Sequence, residues 1–164
     1  MKISAMLAPL ALVAVCGAAA PAFAQAMTPP EYVMTAGASD LYETQSSQLV
    51  LETTQDPKVR AFATMMVQDH GKSTAMVKAA AAKSRVPAKP PKLMPLQAEL
   101  IAQLRAEKGP ARDAAYVAQQ KAAHGQALAV QKAYADGGTA PALKSAAAGI
   151  VPVVEHHIEM LKAM

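Results

Sequence analysis

The sequence predicts an all-α protein of four long antiparallel helices, in up-down-up-down order, with one short helix ahead of the third long one. Three observations predict it. Apolar and small residues recur at intervals of three and four over long segments. Alanine is abundant while β-branched runs stay short. Proline, glycine and aspartate fall at the joints between segments.

The chain opens with Lys2, an apolar run through Leu7, Leu10, Leu12, Val13 and Val15, and a close in Ala22, Phe23 and Ala24. That is the pattern of a secretory signal peptide over residues 1–24, cleaved before Gln25. The run is short for a bilayer, and Pro9 and Pro21 interrupt it; an uncleaved anchor is the alternative. Cys16, the single cysteine, lies in this segment behind the bulky Val15, which disfavours lipid attachment there. The mature chain therefore has no thiol chemistry and no disulfide, which an oxidising compartment permits. Residues 25–164 suffice for a single domain, expected to be periplasmic or secreted, without a second apolar run of membrane length.

Without Lys2, fifteen basic residues oppose twelve acidic ones, scattered along helix faces. There is no tryptophan and there are four tyrosines, so the basic stripe with stacking aromatics of a nucleic-acid binder is missing.

Thr28, Pro29 and Pro30 begin the first helix, with Glu31 favourable to its dipole. Along it Ala36, Ser39, Glu43, Ser46, Ser47 and Val50 form a stripe of small residues around one carboxylate. Asp56 and Pro57 start the second helix as N-cap and first helical residue. It extends to about Ser84 and carries Val59, Phe62, Met66, His70 and Val77 on one face.

The stretch from Arg85 to Pro95, RVPAKPPKLMP, is too rich in proline for a helix and reads as a crossover loop. Its cluster of Lys83, Arg85, Lys89 and Lys92 is either a solvated loop or a contact for an anionic envelope surface. Pro95 to Lys108 gives the short helix with Leu96, Leu100, Ile101 and Leu104, ended by Gly109 and Pro110. A long helix follows to about Ala135, and Asp136, Gly137 and Gly138 make the turn. The last helix starts near Pro141 with Leu143, Ala146, Ile150, Val153, Val154, His157 and Leu161 on one face; Pro152 should bend it.

One polar residue per long helix sits on an inward face: Glu43, His70, His124 and His157. Glu43 lies thirteen residues before Asp56 and His70 thirteen after Pro57, so the two share a height, roughly 20 Å from their turn. His124 and His157 lie twelve before Asp136 and sixteen after Pro141, a mismatch of about one turn. With both turns at one end, all four fall in nearly one layer. Three imidazoles and a carboxylate suit one divalent metal such as zinc, iron or copper. The plainer reading of any one of them is a hydrogen-bonded core histidine. His156 lies one position off the face and is a reserve donor. Asp113 and Tyr116, near the face of His124, are candidates to support the ligands from behind or to face solvent. Asp69, Glu99, Glu107 and Glu159 read as solvated. Met66 and Met160, a turn from histidines, read as core filler rather than copper ligands.

Glu43, the segment VRAFATMMVQDH ending at His70, the segment DAAY from Asp113 to Tyr116 followed by His124, and VPVVEHHIEML with His157 together resemble the bacterial exported family known as domain of unknown function 4142. Its members are often labelled outer membrane proteins and grouped with ferritin-like bundles. The resemblance spans about Tyr32 to Leu161 and implies a ferritin-like fold and export, with no activity attached. Ferritin-like di-iron proteins carry glutamate three residues before histidine on two helices. Val67 and Val154 stand at those positions here, which argues against a di-iron oxidase. Three functional readings remain: a metal-handling or envelope-stress protein, a structural or interaction protein whose polar layer fixes helix register, and a redox enzyme.

Overall fold

Proline sits in the first turn of every helix, where its missing N–H is no loss and its fixed φ suits the helix. The computed structural model describes residues 27–164, so the signal-peptide expectation falls outside the described residues. The helices are α1 (Pro29–Leu51), α2 (Pro57–Lys83), α3 (Pro95–Ala106), α4 (Gly109–Gly137) and α5 (Pro141–Lys162), and no strand occurs among the described residues. Glu31 accepts from both the backbone N–H and the hydroxyl of Thr28 to close the start of α1. Asp56 accepts from the N–H groups of Lys58 and Val59 at the start of α2. α5 is continuous through Pro152, which lies on its exposed side.

Four long helices pack in the neighbour order α1, α2, α5, α4 and back to α1, with α3 laid against α1 and α4. Every neighbouring pair is antiparallel. Along α1, Tyr32, Tyr42 and Ser47 bond Gln131, Gln119 and Tyr116 of α4, partners that descend as α1 ascends. α1 and α5 therefore run one way, and α2 and α4 the other. This corrects the expected up-down-up-down order, because the α1–α2 and α4–α5 turns lie at opposite ends.

The cause is the crossover. α2 is about 40 Å long at 1.5 Å per residue. The segment 84–94, extended by its prolines, and α3 together have the reach to carry the chain back along that length. Pro91 passes α1 at Gly37, where an added Cβ would come within 3.3 Å of the proline ring. The basic side chains of this crossover are exposed.

The core has two apolar parts. At one end Tyr32 and Tyr134 stack with ring centroids 3.9 Å apart, and Val77, Ala81, Leu143, Ala147 and Ile150 fill around them. At the other end Val50, Phe62, Met66, Leu104, Tyr116 and Leu161 pack together. The inward faces expected for α2 and α5 are buried except at Val153, and Leu96 of α3 is exposed as well.

The second end is closed by Arg112, only 3% exposed. Its guanidinium donates to the carbonyls of Glu107 (2.7 Å) and Leu49 (2.6 Å) and to the Glu52 carboxylate (3.1 Å), pinning α4 to the last turn of α1. Arg112→Ala removes these three bonds and empties a buried position, and should cost about 2–4 kcal/mol in urea unfolding. A loss below ~0.5 kcal/mol would mean that water replaces the guanidinium there.

Candidate metal centre

Between the two apolar parts lies a polar layer. His70 from α2, His124 from α4 and His157 from α5 are all buried, and each offers a ring nitrogen within 4.8 Å of the other two. Their ring centroids are 5.3 to 6.0 Å apart. Phe62 packs near the rings of His124 and His157 from the side of the second apolar part.

The outer nitrogen of each ring faces a group that can only accept. His70 Nδ1 is 2.8 Å from Asp40 Oδ1, His124 Nδ1 is 2.9 Å from the carbonyl of Gln120, and His157 Nε2 is 3.3 Å from Asp69 Oδ2. These acceptors place the ring proton on the outward nitrogen in all three cases. The inward nitrogens, Nε2 of His70, Nε2 of His124 and Nδ1 of His157, are then bare lone pairs. Two of them face each other at 3.3 Å, and His70 Nε2 is buried with no partner. Facing lone pairs repel, and a shared proton or a metal ion between them relieves that repulsion.

The electrostatics agree with that accounting. Burial, with the charges of His70 and His157, pushes His124 down to about 3, against a weaker pull from the Gln120 carbonyl. His157 is also lowered, by burial first, although Asp69 opposes the shift. His70 goes the other way: burial disfavours its charge, but the hydrogen bond to Asp40 and the carboxylates of Glu43, Asp40 and Asp69 outweigh it. Of the three imidazoles, His70 is the one whose surroundings favour the charged form. Asp69 is held below the usual range, because the Lys72 and His157 contacts exceed its desolvation.

Glu43 lies in the same layer, 1% exposed, and neither carboxylate oxygen has a hydrogen-bond partner. It falls outside the group of three converging nitrogens. Burial raises it to about 7, against the His70 charge and the Gln120 amide, with Asp40 adding to the rise.

The remaining sequence candidates stand apart. Asp113 accepts from Thr54 at the α1–α2 turn, and Tyr116 bonds Ser47; neither touches a histidine of the cluster, because each lies two or more turns along α4 from His124. His156 is exposed, pointing away from the layer, though its ring adjoins that of His157. Asp69, expected to be solvated, instead supports His157. Asp40 and Gln120 were not singled out in the sequence at all. Asp40 stands three residues before Glu43, a spacing that puts a second carboxylate on the same side of α1.

A small cavity of about 110 Å³ between α2 and α5 reaches His70 and His157 past Lys72, Ser73, Met76 and Val153.

The fold and this layer define an all-helical protein with a three-histidine polar core. The chain belongs to the family described as Domain of unknown function (DUF4142), whose model matches residues 14–164. Its fold is similar to the crystal structure of a protein from Streptomyces coelicolor described as secreted and assigned to DUF305. That likeness has a TM-score of 0.65 at 17% identity and covers 82% of this chain and 88% of the other. No curated protein matches the sequence. No helix among the described residues is long and apolar enough to cross a membrane.

The buried carboxyl gives a pH test on chelated protein. Glu43 is raised from 4.5 to about 7, so its contribution to stability is full below 4.5 and lost as pH rises through 7. The loss amounts to as much as ~3 kcal/mol. Glu43→Gln should remove that slope, so the variant melts higher than wild type at pH 8 and gains least at pH 5. Parallel melting curves of the two proteins across this range would contradict the assignment.

Proposed function

We propose that this protein is an exported, ferritin-like four-helix bundle that binds one divalent metal ion on His70, His124 and His157 and serves metal handling or envelope stress. The observation that carries the reading is the convergence of three lone pairs, each set by an acceptor behind its ring. Metal-ligating histidines use the same arrangement, with the far N–H on a carboxylate or carbonyl fixing tautomer and orientation.

The donor chemistry suits zinc, iron or copper. Three imidazoles leave a fourth position open, as in three-histidine zinc sites. Glu43 is the adjacent carboxylate, placed to balance charge and to close on the ion or on a water bound to it. One connection that crosses the full length of the molecule is also the topology of ferritin-like bundles, in contrast to simple up-and-down ones. Residues 1–24 act as a signal peptide removed on export, leaving 25–164 as a single periplasmic domain.

Metal content by mass spectrometry on untagged protein tests the reading, beside a His70→Ala, His124→Ala double variant. Near one metal per chain in wild type, and none in the variant, is the expected result. Asp40→Asn and Asp69→Asn should each weaken affinity by about 10- to 100-fold while leaving the ligands in place. Metal-free wild type whose melting is unmoved by added zinc, copper or iron would overturn the proposal and leave the layer as a device for helix register.

A further inference from the structure

The crossover carries a run of charge that its surroundings leave unpaired. Between Asp69 and Glu99 the chain has six basic residues and no acidic one. Lys72 pairs with Asp69. The other five, Lys83 at the end of α2 among them, are exposed and form no ion pair among the described residues.

Four of these charges share one face. Pro91 crosses α1 at Gly37, so the segment holding Arg85, Lys89 and Lys92 runs over the outer side of that helix. Lys78 lies one turn after Thr74, whose hydroxyl donates to Asp40 of α1 at 3.0 Å. It therefore stands on the flank of α2 turned toward α1, about level with Gly37. The acids of α1 offset little of this charge: Asp40 and Glu43 are buried, and Glu31 closes on Thr28.

Large apolar side chains stand uncovered among the same charges. Met34, one turn before Gly37 on α1, is 58% exposed, and Met94 and Leu96, just beyond Lys92, are 47% and 59% exposed. A basic loop that only meets water gains nothing from such neighbours. A lipid interface uses both kinds of group, anionic headgroups for the charges and the acyl boundary for the apolar side chains.

We propose that this face docks on a bilayer surface containing anionic phospholipid, with Lys78, Arg85, Lys89 and Lys92 against the headgroup phosphates and Met34, Met94 and Leu96 set into the headgroup–acyl boundary. Pro87, Pro90, Pro91 and Pro95 restrict the segment beforehand, which lowers the ordering cost of docking. A soluble polyanion would answer the charges but leave the three apolar side chains in water. The contact is independent of the proposed metal centre, whose histidines lie inside the bundle.

Sedimentation with vesicles tests this on the chain of residues 25–164. Binding should be at least tenfold tighter to an equal mixture of phosphatidylglycerol and phosphatidylcholine than to phosphatidylcholine alone, and should be lost at about 0.5 M salt. Lys89→Glu combined with Lys92→Glu should weaken it at least tenfold, since each basic group at such a surface contributes about fivefold. Lys58→Glu combined with Lys121→Glu makes the same change in net charge beside the start of α2 and the end of α5, and should alter binding less than twofold. Met94→Ser combined with Leu96→Ser should weaken vesicle binding at least fivefold and leave binding of dextran sulfate, a polyanion without an acyl layer, unchanged. Equal binding to the two kinds of vesicle, or to neither, would overturn the proposal. So would equal losses from the two lysine pairs, or vesicle binding indifferent to the serine pair, which would make a soluble polyanion the occupant of this face.

Discussion

The repulsion between two histidine lone pairs sets the terms for the interior. His124 and His157 come within 3.3 Å with their protons committed outward, to Gln120 and Asp69, and His70 adds a third bare nitrogen. A proton or a cation between such nitrogens relieves their repulsion. Asp40, Asp69 and Glu43 lie around it, and their charges favour the protonated form of His70 against its burial. Apolar packing above and below the layer removes competing water and strengthens each of these interactions.

The small residues of α1 have their purpose in this setting. Ala36, Ala38, Ser46 and Ser47 are all buried, and their size lets α1 sit close against its neighbours. Ser46 and Ser47 also bond Gln120 and Tyr116 of α4, so the same stripe that permits close approach supplies hydrogen bonds across it. Glu43, on that stripe, is drawn into the interior with no room to reach solvent. The result is a fully buried carboxylate beside the histidine layer.

Much of this was legible in the sequence. Proline and aspartate fix the helix starts, and the face of Val59, Phe62, Met66, His70 and Val77 follows from spacing alone. The meeting of the three histidines was also expected, but from a premise that failed. Equal counting from two turns assumed that both lie at one end, whereas the crossover puts them at opposite ends. His70 and His124 still meet because each lies at the middle of its helix, the one height that reversing a helix leaves unchanged, and His157, five residues before the end of α5, is brought level with His124 by the hairpin they share. Asp69 was unreadable for a different reason: it lies off the apolar stripe of its own helix, and only the rotation of the neighbouring helix turns it into a partner, whereas Asp40 shares the side of α1 with Ala36 and Glu43 and its spacing carried the signal. Exposure of Val153 and Leu96 likewise depends on which faces neighbours leave uncovered.

The crossover also orders assembly in time. α1 with α2, and α4 with α5, are hairpins closed by short turns, so each can form from local contacts at little loop-closure cost. His124 and His157 come together within the second hairpin, but His70 belongs to the first, 54 residues before His124 in the chain. The three nitrogens therefore meet only when one hairpin docks on the other, and the long connection makes that docking the slow, non-local step. Completion of the histidine layer thus marks the end of folding, and a cation that binds there acts on the last contacts made rather than on the first.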